Sequence, residues 1–214
     1  MLIDDYINYH NKYSKKYGSK TVVLMQVGSF FECYAIENDD PLEKFNSENL
    51  YNICDICNIQ SSRKNKNIIQ SSRSNPIMAG FPTLAIDKFI QILLNNMFTI
   101  ILIEQVTEPP EPERKVTNIY SPGTNIQYIN SDDTPNLISI YIENIKDIKN
   151  YKDIIAVGLS VIDLTTGKSI LYETFSDKED NYKAYDEIYR FIQTHNPKEI
   201  ILNVKSSNLS KEEL

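Results

Sequence analysis

Residues 21–34 read Thr21-Val-Val-Leu-Met-Gln-Val-Gly-Ser-Phe-Phe-Glu-Cys-Tyr34, and the interpretation of this stretch decides the rest. Thr21–Val27 is β-branched and apolar, the composition of a buried strand. Gly28 and Ser29 break it, and Phe30–Tyr34 follows at once as a second extended piece or a tight turn. A bulky aromatic placed directly after such a break stands to be thrust out at a turn on a rigid support. The alternative is one more strand, with one Phe buried and Glu32 exposed.

Working outward, Ile3–Tyr17 has Ile3, Tyr6, Ile7, Tyr9 and Tyr13 near a 3.6-residue period and predicts an amphipathic helix stopped by Gly18. Pro41–Cys57 reads as a second helix with Leu42, Phe45, Leu50, Ile53 and Cys54 on one side. Gln60–Asn75 is a polar loop that repeats Gln-Ser-Ser-Arg at 60–63 and 70–73. Pro76–Pro82 is extended. Leu84–Met97 predicts a helix with Leu84, Ile86, Phe89, Ile90, Leu93 and Leu94 as its core stripe. Phe98–Val106 and Lys115–Tyr120 read as strands.

The character changes after the turn-rich segment 125–135, which reads as a linker between a domain at 1–124 and another at 136–214. Leu137–Glu143, Ile154–Asp163 and Ser169–Phe175 predict strands, the last two joined by a hairpin at Thr165–Lys168. A helix over Glu179–His195, with Tyr182, Tyr185, Ile188, Tyr189 and Ile192 inward, precedes a strand at Lys198–Val204. This order points to a three-layer sheet domain. The polar tail from Ser206 reads as an unfinished piece, so the second domain is expected to be truncated.

The chain of 214 residues carries a formal charge of −7, which argues against a generic polyanion binder. Residues 1–120 hold 12 basic and 14 acidic side chains, a balance of −2; residues 121–214 hold 10 and 15, a balance of −5. Within Gln60–Asn75, Arg63, Lys64, Lys66 and Arg73 stand without an acid. Such a loop suits a few phosphate contacts, or is a plain solvated surface. No apolar run is long enough to span a bilayer, and Met1–Tyr9 lacks a signal peptide's pattern. Three cysteines are a poor disulfide framework. An intracellular protein is expected, and the many Tyr, Asn, Ile and Lys residues suggest an AT-rich genome.

Other chemistry is weakly supported. Gly167-Lys168-Ser169 has Ile162 where a phosphate-binding loop needs glycine, and reads as a hairpin turn. Cys54-Asp-Ile-Cys57 has metal or redox spacing, but the second pair of ligands is missing. His10 is read as lying on a polar helix face and His195 at a helix C-terminus; neither has a nucleophile signature nearby. Asp163 and Glu173 on adjacent strands offer paired carboxylates for Mg²⁺, the basis of an alternative nuclease reading of residues 136–214. A third reading makes the acidic, Tyr-rich second half a protein-docking module.

Leu24–Tyr34 resembles the R-M-G-D-F-Y-E-L-F segment that opens the MutS mismatch repair proteins. The resemblance continues in register with Pro76-Ile-Met-Ala-Gly-Phe-Pro82 (P-M-A-G-[IF]-P), Glu104-Gln105, and Glu113–Val116 with Ser121-Pro-Gly-Thr124 (V-x-R-x-V, then T-P-G-T). Four motifs in order cover about residues 1–124, and Gly158–Lys168 is similar to the first hairpin of the family's connector domain. The resemblance implies an α+β mixed-sheet mismatch-recognition domain followed by the first part of an α/β, RNase-H-like connector. It implies that Phe30 is a wedge entering the minor groove at a mispaired or unpaired base, and that Glu32 hydrogen-bonds that base. Arg63, Lys64, Lys66, Arg73, Arg114 and Lys115 become candidate phosphate contacts; Arg114 could instead pair with the neighbouring glutamates.

The implied partner is double-stranded DNA with mismatches or small loops. ATP and Mg²⁺, like the dimer contacts of full-length relatives, are assigned to later domains, so this chain is expected to be no enzyme and to carry no cofactor or metal. Three departures stand out. Ser29 occupies the place of a common Asp, Phe31 and Cys33 replace Tyr and Leu, and the Gln60–Asn75 loop is longer than expected.

Overall fold

The computed structural model describes residues 2–38, 44–108, 110–124, 135–146, 153–177, 179–180 and 182–205. Most of the expected linker, 125–134, lies outside them. The chain divides into two compact units, Met1–Pro122 and Gly123–Leu214. Among the described residues no helix is long and apolar enough to cross a membrane.

The first unit is a six-stranded mixed sheet between helices. Its strands are β1 (Thr21–Val27), β2 (Phe30–Ala35), β3 (Ser62–Arg63), β4 (Ile77–Pro82), β5 (Thr99–Gln105) and β6 (Arg114–Tyr120), in the order β3-β4-β2-β1-β5-β6. β1 runs parallel to β5 and antiparallel to β2. Because β1 and β5 are central and covered on both faces, each is apolar almost throughout rather than alternating. Helix α1 (Leu2–Tyr17) covers one face: Ile3, Tyr6, Ile7 and His10 turn inward at helical spacing onto Val23, Met25, Tyr34, Ile101 and Ile103. Helices α2 (Ser47–Cys57) and α3 (Ile86–Asn95) belong to the other face, where Phe31, Phe81 and Phe89 form an aromatic row and Phe81 stacks on Phe89 at 3.9 Å.

Three expectations are corrected in this unit. Helix α2 begins at Ser47, because Asn46 is left-handed (φ 53°) and Phe45 is engaged in a β-bridge with Ile36; Pro41 and Leu42 lie outside the described residues. Leu84 is absent from the core: a short 3₁₀ turn (Thr83–Ala85) precedes α3, shifts the phase, and leaves Leu84 98% exposed. His10, read as lying on a polar face, is buried against Phe45 with ring centroids 5.0 Å apart. Burial lowers its pKa, partly offset by hydrogen bonds with Asn46 and Asn11.

The second unit is a four-stranded sheet of β7 (Asn136–Lys146), β8 (Asp153–Asp163), β9 (Ser169–Phe175) and β10 (Glu199–Lys205), in the order β10-β7-β8-β9, with β10 parallel to β7. Ile138, Ile140, Ile142, Val157, Leu159 and Val161 alternate onto one face and meet Ala184, Ile188 and Phe191 of helix α4 (Lys183–His195). Tyr182 and Tyr189 point outward, since Ala184, Ile188 and Phe191 set the helix phase. Among the described residues, one helix on one face makes two layers rather than three.

Candidate nucleic-acid interface

Phe30 stands at the tip of a two-residue hairpin turn. Val27 pairs with Phe30, so Gly28 and Ser29 alone form the loop. Gly28 has φ +60° and no non-glycine of the loop has positive φ, the pattern of a II′ turn, whose twist matches the strands it joins. Phe30 is 45% exposed, whereas Phe31, one residue on and on the opposite face, is 3% exposed in the aromatic row. Glu32 is half-buried on the Phe30 face, about 7 Å further along the strand.

The tip is braced from three directions. The Thr83 N–H donates to Ser29 O at 2.9 Å, which also brings exposed Leu84 to this end of the sheet. Gln26 ties the turn to β5 and β6: its Nε2 donates to Gly28 O (3.2 Å), its Oε1 accepts from Gln105 N (2.9 Å), and its carbonyl accepts from Arg114 Nε (2.9 Å). Gln26 was missed in the sequence, although a single polar residue in an otherwise apolar strand, two before the turn glycine, is a usable signal. Glu32 accepts a hydrogen bond from the Tyr34 hydroxyl.

The basic candidates separate. Arg114 sits at the tip end, with its guanidinium also directed at Pro112 O, and forms no ion pair with a glutamate among the described residues; Lys115 beside it pairs with Glu113 at 3.2 Å. Arg63 lies at the far end of β4: it pairs with Ile77, whereas Phe30 pairs with Pro82, so five residue steps or about 17 Å separate them along the strand. Its guanidinium donates to Ile69 O, Lys64 and Lys66 are exposed, and Arg73 forms an exposed ion pair with Asp4 at 3.0 Å.

The other chemistries are not assembled. Asp163 spends its carboxylate on the hairpin, accepting from the N–H and hydroxyl groups of Thr165 and Thr166, and these bonds hold its pKa down at about 2. Glu173 faces Gly158, five residues from Asp163 along β8, or about 17 Å away. Gly167 (φ 71°) and Lys168 close the same turn. Cys33, Cys54 and Cys57 are all buried, and burial pushes their thiols up, to about 11 for Cys57. No group of three or more His, Cys, Asp or Glu is placed to hold a metal among the described residues.

Fold and site together define a sheet module that presents a braced aromatic hairpin tip with a carboxylate beside it. Residues 7–128 match the family model MutS domain I. The chain is 32% identical over 206 residues to a putative DNA mismatch repair protein mutS homolog of Acanthamoeba polyphaga mimivirus, covering 96% of this chain and 18% of that protein. It is 34% identical over 132 residues to a DNA mismatch repair protein MutS of Caldanaerobacter subterraneus (59% of this chain, 14% of the relative). A mitochondrial DNA mismatch repair protein mutS homolog of Sarcophyton glaucum is 22% identical over 216 residues (92% and 20%). The chain belongs to the MutS family. It spans about a fifth or less of the length of these relatives.

Proposed function

We propose that this chain senses mispaired and unpaired bases in double-stranded DNA, with Phe30 entering the minor groove and stacking on the base while Glu32 accepts a hydrogen bond from it. The observation that carries the reading is the half-exposed ring on a two-residue hairpin, with Glu32 on the same face. Wedging between base steps costs a few kcal/mol of unstacking, and stacking on an aromatic returns about 1–3 kcal/mol. The two nearly cancel on paired duplex. A mismatch has already lost pairing energy, so the same deformation costs less there, and discrimination follows from deformability. The carboxylate is repelled by DNA except where a base offers an unpaired donor, which adds a penalty on intact duplex.

Arg63, Lys64, Lys66 and Arg73 then act as phosphate contacts away from the wedge, Arg63 about five base pairs from it at one pair per 3.4 Å. The Arg73–Asp4 pair is exposed enough for a phosphate to displace it. Arg114 and Lys115 flank the wedge itself. On this reading the second unit belongs to an RNase-H-like connector, and the chain carries out no reaction of its own; ATP, Mg²⁺ and dimerisation belong to other parts of full-length relatives. The test is a titration with matched and singly mismatched duplex at stated salt. Wild-type protein should prefer the mismatch and Phe30→Ala should not; an undiminished preference in the variant overturns the proposal.

A further inference from the structure

We infer that Tyr34 is a positioning residue for Glu32: its hydroxyl holds one carboxylate oxygen in place and leaves the other free for the base. This rests on the reading of Glu32 as the base's hydrogen-bond partner. Tyr34 and Glu32 are two residues apart on β2 and so share a face, and the Tyr34 hydroxyl donates to Glu32 Oε2. The ring cannot wander. Tyr34 is 4% exposed and meets the Tyr6 ring edge-on at 5.1 Å, and Tyr6 is fixed in turn by its hydroxyl donating to Val23 O at 3.2 Å. Helix α1 thus sets the position of a donor that reaches the rim of the tip.

The hydroxyl also stays a donor. Burial, and then the hydrogen bond and charge of Glu32, push its pKa well above the usual phenol range. Across the ladder Glu32 pairs with Gly80. A β-carbon at position 80 would lie 2.7 Å from Phe31 O and 3.2 Å from Glu32 Cγ, so only the bare glycine leaves the Glu32 stem room to lie along the sheet. Held by the Tyr34 hydroxyl, the carboxylate presents one oxygen in a fixed direction and loses little side-chain freedom when a base arrives.

The experiment is a double-mutant cycle in the full product of the gene, reading the ratio of affinities for mismatched and matched duplex. Glu32→Ala should lower the ratio. Tyr34→Phe, which removes one hydroxyl and keeps the ring, should lower it about fivefold with affinity for matched duplex unchanged, and should have no further effect in the Glu32→Ala background. An unchanged ratio in Tyr34→Phe overturns the inference, and so does a loss that adds in full to that of Glu32→Ala. If Glu32→Ala and Phe30→Ala both leave the ratio intact, the mismatch reading itself has failed; if they lower it and Tyr34→Phe does not, only the positioning role has. Thermal unfolding verifies that the variant is folded. Should it not fold, 3-fluorotyrosine at position 34, a more acidic phenol of nearly the same shape, should raise the ratio, and an unchanged or lower ratio overturns the role.

Discussion

Phe30 and Phe31 are neighbours in sequence with opposite surroundings, so removing each ring separates folding from recognition. Phe31 is 3% exposed and packs beside Phe81. Phe31→Ala should cost about 3–5 kcal/mol, which at about 4 °C per kcal/mol lowers the unfolding midpoint by about 12–20 °C. Phe30 keeps 45% of its surface in solvent, so its truncation should cost on the order of 1 kcal/mol, or a few degrees. Binding should show the reverse order. Losing the stack of about 1–3 kcal/mol weakens affinity for mismatched duplex roughly 5- to 150-fold. Matched duplex, on which wedge cost and stacking gain nearly cancel, should be bound as before. The assays are thermal unfolding by circular dichroism and fluorescence anisotropy with labelled duplexes. A Phe30→Ala protein as destabilised as Phe31→Ala would show that the ring belongs to the core. One that melts normally and still prefers mismatches would refute the wedge.

Four more outcomes follow from the same geometry. Burial lowers the pKa of His10, so the unfolded chain takes up a proton near pH 6.5 that the folded chain refuses. Stability should be full above about 6.5 and fall below it; His10→Phe should flatten the difference in unfolding midpoint between about pH 7.5 and pH 5.5, and an unaltered difference would assign it to other groups. Arg114→Lys keeps the charge but loses the fixed Nε–H donor to Gln26 O, so it should weaken mismatch binding about as much as Arg114→Ala; wild-type binding by the lysine variant would reduce Arg114 to a point charge. Lys66→Ala should lower the salt slope of binding by about 1 while leaving the mismatch ratio unchanged, and an unchanged slope would remove Lys66 from the contacts. Asp163→Ala should loosen the hairpin and lower the midpoint by a few degrees without altering DNA binding; a Mg²⁺-dependent rise of the wild-type midpoint that the variant lacks would instead support a metal role.

The strands were legible because central strands declare themselves by composition. The apolar run Thr21–Val27 coincides with β1, and Phe98–Val106 exceeds β5 by one residue at each end. Helix phases were harder. Leu84 fits a 3.6-residue stripe only if the helix begins before it, and the 3₁₀ turn that displaces it follows from Pro82 and from the Thr83–Ser29 bond across the sheet, a contact that local periodicity does not contain. Tyr182 and Tyr189 failed likewise: a tyrosine is amphipathic, and two of the three buried positions are held by the small Ala184 and by Phe191. At the tip, the break at Gly28-Ser29 pointed to a projecting aromatic, but which of two adjacent Phe residues projects depends on the register Val27↔Phe30, set by the loop length. The Tyr34–Glu32 bond and the threefold use of Gln26 were not legible, since hydrogen bonds within and between strands leave no periodic trace.

The unfavourable overall charge is consistent with the proposed task. A strongly basic module would hold every duplex through phosphate contacts, and that sequence-independent attraction would swamp a difference of a few kcal/mol at one base step. Here the chain is acidic overall. Its candidate phosphate contacts are few, two are already engaged in ion pairs (Arg73 with Asp4, Lys115 with Glu113), and Arg63 lies about 17 Å from the wedge along β4. On the proposed reading, electrostatic attraction is thereby kept small beside the part of the binding energy that depends on pairing. A tip braced by Gln26, Thr83 and Arg114 adds to the same end: a yielding hairpin would bend away from intact duplex at little cost, whereas a rigid one leaves the duplex to deform. On the proposed reading, discrimination depends on which partner is stiffer, and the sheet behind Phe30 favours the protein.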